Sequence, residues 1–316
     1  MPASHRRLWI CAAIALLLAL LFWLYPKNLS LFALQIRAEK LAVIALLSIC
    51  GGVSTLVFQT LSGNRLLTPQ LMGIDGIYRL LQASLILLVG APLYTQLSPY
   101  AKFGLSAIIS MLVSSFFFIY LLDRLRGDLF RLLLIGVIFS GFCRAMSGFI
   151  GRMLDPLAYA VYQSASFAQL SQARVELIGI AALPCLLSCA FLWKMRHELD
   201  VLALGRDSAI NLGLPYLRCV MFAMLALSLL VAIATALVGP MLFFGLLASA
   251  LTYRLFPCVQ HGILIPAVAL ISFCILLGGQ LVFERLLNMA GTLSIAVEFI
   301  GGLLFLVLIL RKAKQT

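Results

Sequence analysis

The sequence CVMFAMLALSLLVAIATALVGPMLFFGLLASALTY, residues Cys219–Tyr253, runs for 35 positions without a charged side chain. A helix needs about 20 residues to cross the hydrocarbon core of a bilayer, so this run is too long for one crossing. Gly239 and Pro240 divide it, because proline cannot continue the helical hydrogen-bond ladder and glycine permits the chain to reverse. The run therefore predicts two membrane-spanning helices joined by a short turn.

The rest of the chain has the same apolar character. Of its 316 residues, 63% are hydrophobic and 11% are charged, whereas about a quarter are charged in a soluble domain. A soluble fold of this size has no core large enough to bury that much apolar surface. The composition also excludes a disordered chain, a collagen, a coiled coil and a disulfide scaffold. The chain is therefore predicted to be a polytopic membrane protein.

Ten charge-poor runs are long enough to be considered as spans. They are Leu8–Tyr25, Leu41–Leu61, Leu80–Ala91, Phe103–Leu122, Leu132–Gly151, Leu177–Trp193, Cys219–Val238, Met241–Tyr253, Ile263–Phe283 and Thr292–Leu310. The third run is short, and we expect its helix to begin earlier and to include Arg79. The prediction is an all-α fold of about ten transmembrane helices, organised as a single transmembrane domain over residues 1–316.

Basic residues predict the orientation in the membrane. With the N-terminus inside, the inner segments hold fourteen of the 23 Lys and Arg residues, the outer segments hold seven, and two lie within spans. Because positive residues are enriched on the cytoplasmic side, both termini are predicted to be cytoplasmic. The net charge of +12 is spread singly between apolar runs, which favours membrane anchoring over binding of nucleic acid.

The longest polar connection, Lys194–Pro215, falls on the cytoplasmic side in this topology. It contains two short amphipathic pieces around Glu198–Leu204 and Asp207–Leu212, each followed by a glycine suited to end a helix. Two short helices of this kind form either a compact docking surface for a cytoplasmic partner or an interfacial element that rests on lipid headgroups. The residues alone leave both interpretations open.

Four segments carry a resemblance to a known family. Gln59–Gly73, QTLSGNRLLTPQLMG, resembles a signature loop of the FecCD-type permeases, the membrane subunits of type II ABC importers for iron chelates and cobalamin. Leu199–Gly213, LDVLALGRDSAINLG, resembles their coupling segment, and Gly239–Leu246, GPMLFFGL, a motif downstream of it. Arg37 and Lys40 keep the spacing of two cations at the entry to the second span. The similarity extends over about residues 35 to 310.

The resemblance implies a type II ABC importer permease fold and a set of partners. The implied function is translocation of an iron(III)–siderophore across the bacterial inner membrane, driven by two ATPase subunits that hold ATP and Mg²⁺. A second permease, identical or homologous, and a periplasmic or lipid-anchored siderophore-binding protein complete the implied complex. This chain would itself be no enzyme and would bind no cofactor, no metal and no nucleic acid. Its other contacts would be with membrane lipid.

The resemblance also implies roles for individual residues. The coupling segment, defined as residues 194–215, would contact the ATPases through Leu199, Leu202, Leu204, Gly205, Asp207, Ala209, Leu212 and Gly213. Arg37, Lys40 and Arg285 would receive carboxylates of the binding protein. The alternative for the first two is anchoring at the membrane interface, and for Arg285 a local pair with Glu284.

Four residues are candidates for the translocation pathway or its gate: Gln59, Asn64, Arg144 and Ser147. Arg144 is predicted in the middle of a span, where a cation costs several kcal/mol unless it faces a cavity or a partner. It could line a route for an anionic chelate. A structural pair with Glu298, or with Glu176 nearer an edge, is the alternative.

Two other function classes were weighed. An ion-coupled secondary transporter of a small anionic solute would also have buried charge, and Glu298 is its candidate midplane acid. An intramembrane enzyme is disfavoured because the sequence has no HExxH or Gly-x-Ser-Gly motif. It has no phosphate-binding loop either, so ATP hydrolysis is assigned to a partner.

Overall fold

The computed structural model describes residues 3–24, 31–125, 128–166, 175–286, 297–303, 305–306 and 310, and within these ranges it contains helices and no strands. Thirteen α-helices are labelled in chain order. They are α1 Ala3–Leu24, α2 Leu31–Ser62, α3 Ile74–Val89, α4 Ala91–Gln96, α5 Pro99–Arg124, α6 Leu129–Met153, α7 Pro156–Ser166, α8 Ile178–Lys194, α9 Arg196–Leu202, α10 Arg206–Asn211, α11 Tyr216–Val238, α12 Phe244–Leu255 and α13 His261–Leu286. The all-α prediction is confirmed.

Six of these helices are long and apolar enough to cross a membrane: α1, α2, α5, α6, α11 and α13. The axis of α8 is bent by 61° from that of α9, which follows it directly. Helices α3 and α12 have 16 and 12 residues, so they are about 24 Å and 18 Å long and cover only part of a bilayer. The tenth predicted span, Thr292–Leu310, lies largely outside the described residues. The total of ten spans stays a prediction.

The break predicted at Gly239–Pro240 is confirmed. Helix α11 ends at Val238, and Gly239 has a φ of 104°, a backbone conformation that glycine adopts without strain. Helix α12 begins at Phe244 after a short turn. Two short helices were not predicted, namely α4 and α7, because neither is long or apolar enough to stand out as a span. Helix α3 begins before Arg79, as expected.

Helix α2 is the centre of the packing. It lies against α8, α11, α12 and α13, and residues such as Val53, Leu56 and Val57 are fully buried. It begins at Leu31 rather than at the predicted Leu41 and has 32 residues, which makes it about 48 Å long. It is therefore longer than the hydrocarbon core is thick, and its early turns carry Arg37 and Lys40.

The outer surface is apolar. Trp9 on α1, Phe130 on α6 and Leu183 on α8 are 67%, 77% and 65% exposed. Monomeric soluble proteins rarely expose apolar side chains over so much of their surface. These faces are suited to lipid or to a neighbouring membrane subunit.

The two ends of the helix bundle carry different features. At one end, here named the coupling end, lie α9 and α10, the beginning of α13 and the end of α2. The beginning of α1 also lies there, because Arg7 donates a hydrogen bond to the Leu255 carbonyl at the end of α12 (2.8 Å). The opposite end holds the first turns of α2, the end of α13, and the connection from α6 to α7.

Candidate functional site

The coupling segment forms the two short helices that the sequence indicates. Helix α9 spans Arg196–Leu202 and α10 spans Arg206–Asn211. Gly205 between them and Gly213 after them have φ values of 95° and 83°. Both values lie in the left-handed region, so the chain can turn there without a steric penalty on a β-carbon.

Burial divides the predicted contact residues of this segment into two groups. Leu199, Leu202 and Ala209 are 0–4% exposed and belong to the protein's own core. We therefore correct the expectation that their side chains contact an ATPase, because in this structure they hold the segment against the bundle. Leu204 and Leu212 are 61% and 65% exposed, so their predicted contact with a partner is compatible with the structure.

The exposed surface of the segment has further members. Ile210 is 47% exposed and was not among the predicted contacts, although its position on α10 beside Leu212 could have suggested it. Asp207, Gly205 and Gly213 are also exposed. We name the three apolar side chains Leu204, Ile210 and Leu212 the exposed triad.

Asp200 fastens the coupling segment to the transmembrane helices. Its Oδ1 accepts a hydrogen bond from the backbone N–H of His261 (2.7 Å), the first residue of α13, and lies 2.7 Å from Nδ1 of the same residue. A carboxylate at the N-terminus of a helix is stabilised by the free N–H groups there. The sequence analysis did not select Asp200, because its partner is 61 positions away in the chain.

The contact continues into α2. His261 is 1% exposed, and its Nε2 lies 2.8 Å from the Thr60 hydroxyl. Because a carboxylate only accepts, Nδ1 of His261 carries the hydrogen that points to Asp200. The Thr60 hydroxyl that faces Nε2 also donates to the Leu56 carbonyl within α2 (3.1 Å). Asp200, His261 and Thr60 are named the polar latch. The latch joins α9, α13 and α2.

The signature loop after α2 is shaped by its own polar side chains. Gln59 Nε2 donates to the Arg65 carbonyl (2.8 Å), and Asn64 Oδ1 accepts from the Leu66 N–H (3.0 Å). The Arg65 guanidinium lies 4.4 Å from the centre of the Tyr253 ring. Gln59 and Asn64 thus fix the loop conformation at the coupling end. Their predicted part in the pathway or gate stays a prediction.

At the opposite end, the predicted docking cations are engaged inside the subunit. Arg37 lies 3.4 Å and Lys40 3.7 Å from the Glu284 carboxylate, and Gln280 donates to the same carboxylate (3.0 Å). Arg37 also donates to the Phe22 carbonyl and lies over the Phe22 ring.

These contacts change the interpretation of the docking cations. The Arg37 side chain is 15% exposed and that of Lys40 is 31% exposed. Arg37 shares the Glu284 carboxylate with Lys40 and ties α1, α2 and α13 together, and its docking role stays a prediction. Lys40 keeps a predicted docking role, and the alternative of a local pair between Glu284 and Arg285 stays a prediction. The Arg285 side chain lies outside the described residues.

We expect Glu284→Gln to lower the free energy of unfolding by about 1–3 kcal/mol, because it leaves the Arg37 guanidinium partly buried without its carboxylate. Thermal unfolding of the detergent-solubilised protein measures the change. Glu39→Gln is the matched control, since Glu39 lies on the same stretch of α2 and accepts a hydrogen bond from Gln35 (3.2 Å), with no ion pair among the described residues. Equal melting temperatures for the two variants would contradict this structural role.

Arg144 and Ser147 on α6 behave differently from each other. Arg144 is exposed on the surface of the subunit and donates to Ser140 Oγ (3.0 Å). In the described part of the chain it forms no ion pair with Glu298 or with Glu176, so the structural pair is not present. Ser147 is 3% exposed and donates to the Arg144 carbonyl (2.9 Å). We therefore correct the prediction that Ser147 lines a pathway, whereas Arg144 has the exposure that such a role needs.

An acid that the sequence analysis missed lies behind these residues. Asp75 on α3 is 2% exposed, and its Oδ1 accepts from the Thr235 hydroxyl (3.4 Å), while Oδ2 has no hydrogen-bond partner among the described residues. Arg79, Arg144 and Glu298 all interact with it electrostatically. The signal in the sequence is the i, i+4 spacing of Asp75 and Arg79, which places both on one helix face.

In the part of the chain that the structure describes, no three His, Cys, Asp or Glu side chains are grouped as a metal site would require. The thiols of Cys50 and Cys185 are 3.4 Å apart in the core between α2 and α8. The described geometry is that of a helical membrane protein with a docking segment at one end.

The comparisons with known proteins agree with this class. Residues 12–311 match the FecCD transport family, and the chain belongs to this family of type II ABC importer permeases. The petrobactin import system permease YclO of Bacillus subtilis is 32% identical over 99% of both chains. The petrobactin permease FatC of Bacillus anthracis is 26% identical over 97% of this chain and 90% of its own length.

A solved structure shows the same fold. It is a metal-chelate type ABC transporter in an inward-facing conformation, with a TM-score of 0.85 and 20% sequence identity, and the alignment covers 97% of this chain and 99% of that one. The relatives also include the haemin permease HmuU of Yersinia pestis, 28% identical over 89% of this chain and 84% of its own length. The protein is thus a multi-pass membrane permease, and the resemblance read from its sequence motifs is confirmed.

Proposed function

We propose that the chain is one of two permease subunits in an importer that carries a ferric siderophore across the bacterial inner membrane. Two ATPase subunits dock at the coupling end, and a siderophore-binding protein docks at the opposite end. The observation that carries the proposal is the coupling segment. It presents the exposed triad outwards while its other face is fixed in the core and to α13.

The proposed topology has ten spans with both termini in the cytoplasm. The contact between Arg7 and Leu255 supports a cytoplasmic N-terminus, because it sets the start of α1 at the coupling end. The excess of basic residues in the inner segments supports the same side.

The proposed mechanism is a change of helix packing driven by the partner subunits. ATP binding brings the two ATPases together, and their movement displaces α9 and α10. The polar latch transmits this displacement to α13 and α2, and the permease pair alternates between outward-open and inward-open states. The chain provides passage and force transmission without any covalent step.

The substrate is inferred from the relatives. The permeases YclO, FatC and YclN are named for petrobactin import and FepD for ferric enterobactin, whereas HmuU and BtuC are named for haemin and vitamin B12. YclO, the most identical of these at 32%, and FatC, which matches over 97% of this chain, are both named for a siderophore. We therefore propose a ferric siderophore, with haem and cobalamin as the competing substrates.

The test is reconstitution of the permease with its ATPase and binding protein in liposomes. Uptake is measured for radiolabelled ferric petrobactin, ferric enterobactin, haem and cyanocobalamin, each with and without ATP. ATP-dependent uptake of a ferric siderophore is the expected result. Uptake that needs a proton gradient and ignores ATP would instead indicate the ion-coupled transporter, with Asp75 and Glu298 as its candidate acids.

We expect Leu204→Asp combined with Leu212→Asp to abolish co-purification of the ATPase, because two charges would replace the centre of an apolar contact surface. The matched control is Val259→Asp, since Val259 is 65% exposed at the same end but outside the coupling segment. The control should retain the ATPase. Loss of the ATPase from both variants, or from neither, would contradict docking at the exposed triad.

A further inference from the structure

A polar cavity opens at the opposite end of the subunit, where α3, α6 and α7 meet. Its volume is about 540 Å³, within the range typical of small-molecule sites. It is lined by Arg79, Gly148, Gly151, Arg152, Tyr159, Tyr162, Gln163 and Ser166. None of these residues was among the predicted site residues, because they come from three separate helices.

The lining is rich in hydrogen-bond donors. Two guanidinium groups, two phenol hydroxyls, an amide and a hydroxyl face this space, and no carboxylate is among the lining residues. Ser166 is 3% exposed, and within the part of the chain that the structure describes its hydroxyl has no hydrogen-bond partner. A buried polar atom without a partner is costly unless a ligand or water satisfies it. Such a set of donors is suited to oxyanions, and guanidinium groups bind carboxylate and phenolate oxygens strongly.

The helix α6 side of the cavity is formed by small residues. A β-carbon added at Gly148 would meet no atom within 4 Å, so the glycine leaves open space rather than serving a close helix contact. On the α7 side, Gln163 donates to the Tyr159 hydroxyl (2.7 Å). This bond orients the Tyr159 ring at the margin of the cavity, where it can stack on an aromatic ligand.

The charges around the cavity differ between its inner and outer parts. Arg79 interacts electrostatically with Asp75 and Glu298 behind it, so part of its charge is balanced within the subunit. Arg152 is exposed in the last turn of α6, and it forms no ion pair within the described residues. The free positive charge of the cavity is therefore that of Arg152, at its outer margin.

We propose that this cavity is a binding site for the substrate on its way into the membrane and that it selects net-negative chelates. Arg152 attracts the anion, Arg79 holds one of its oxygens deeper in the cavity, and Tyr159 and Tyr162 contact its rings. The proposal rests on the proposed import function and extends it, because it assigns a charge preference to the permease itself rather than to the binding protein.

The test measures equilibrium binding to the permease–ATPase complex in phosphatidylcholine nanodiscs without the binding protein. The probes are ferric petrobactin and ferric enterobactin, both net negative, and ferrichrome, an uncharged tris-hydroxamate. We expect Arg152→Gln to raise the Kd of the anionic chelates about tenfold, the loss typical of one charge-assisted hydrogen bond. Binding of ferrichrome should be weak and should not change.

A second variant tests the location without changing charge. Gly148→Leu should also raise the Kd by tenfold or more, because the new side chain occupies the cavity, while leucine favours the helix more than glycine does. Arg131→Gln, at the other end of α6, and Gly104→Leu, where an added β-carbon also meets open space, are the matched controls. Both should bind the anionic chelates with the Kd of the unchanged protein.

Several results would overturn the inference. They are an unchanged Kd in Arg152→Gln or Gly148→Leu, equal binding of ferrichrome and the anionic chelates, or no binding of either anion to the unchanged protein. Phosphatidylglycerol nanodiscs distinguish a lipid phosphate as the ligand, because complete displacement of the chelate there would assign the cavity to lipid. None of these results would change ATP-dependent uptake. Failure of the proposed function would be seen differently, because no ATPase would then assemble with the chain.

Discussion

Asp200→Ala is expected to separate ATP hydrolysis from transport. The side chain of Asp200 binds both the backbone N–H and the ring of His261, whereas the exposed triad faces away from the bundle. The variant should therefore keep its ATPase and lose the connection between α9 and α13. Hydrogen bonds to a charged group contribute about 1.5–3 kcal/mol, so the number of chelates imported per ATP hydrolysed should fall at least about tenfold.

Reconstituted complexes provide the measurement, with ATP turnover and uptake followed in the same liposomes. Asp200→Asn should be less severe than Asp200→Ala, because an amide oxygen still accepts from the His261 backbone. Thr60→Val should lower the ratio by a smaller factor, since it removes only the second contact of the latch. Asp123→Ala, an exposed acid at the same end on α5, is the control. An unchanged ratio of uptake to hydrolysis in Asp200→Ala would show that the polar latch does not transmit movement of the coupling segment to α13 and α2.

Much of the fold follows from the sequence because a membrane imposes a simple rule on it. A helix that crosses lipid must be long and apolar, so runs such as Cys219–Val238 mark α11 almost to the residue. Breaks are equally visible, as Gly239 and Pro240 show. This rule does not predict the short helices α4 and α7, because they lie at an end of the bundle, where the membrane does not constrain the length or the hydropathy of a helix.

The sites could be predicted only in part, because a contact between two residues far apart in the chain leaves no local pattern in the sequence. The motif Leu199–Gly213 identified the coupling segment, yet only the structure distinguishes buried Leu199 from exposed Leu204. Arg37 had the spacing of a docking residue, but its partner Glu284 is 247 positions away. Asp75 was missed for a related reason, because its partner Thr235 is 160 positions away in the chain.

Gly245→Ala is expected to be the most destabilising small substitution in the described core. A β-carbon at Gly245 would lie 2.0 Å from Thr55 Oγ1, 2.8 Å from Thr55 Cβ and 2.9 Å from the Gly51 carbonyl oxygen. The Thr55 hydroxyl can rotate away, but Thr55 Cβ and the Gly51 carbonyl are fixed to the backbone of α2 and cannot move without shifting the helix. Overpacking typically costs about 1–3 kcal/mol, and the backbone contact places this site at or above the upper limit.

The consequence should be measurable as loss of folded protein, either as reduced yield of monodisperse permease or as a lower melting temperature. Gly104→Ala is the matched control, because its β-carbon meets no atom within 4 Å and alanine favours a helix. Thr55→Gly in the Gly245→Ala background should restore part of the stability by removing two of the three close atoms, and the Gly51 carbonyl should prevent full recovery. A Gly245→Ala protein as stable as Gly104→Ala would mean that α2 and α12 do not pack as closely as the structure shows. Close packing there matters for transport as well, since the latch can move α2 and α12 together only if neither helix slips against the other.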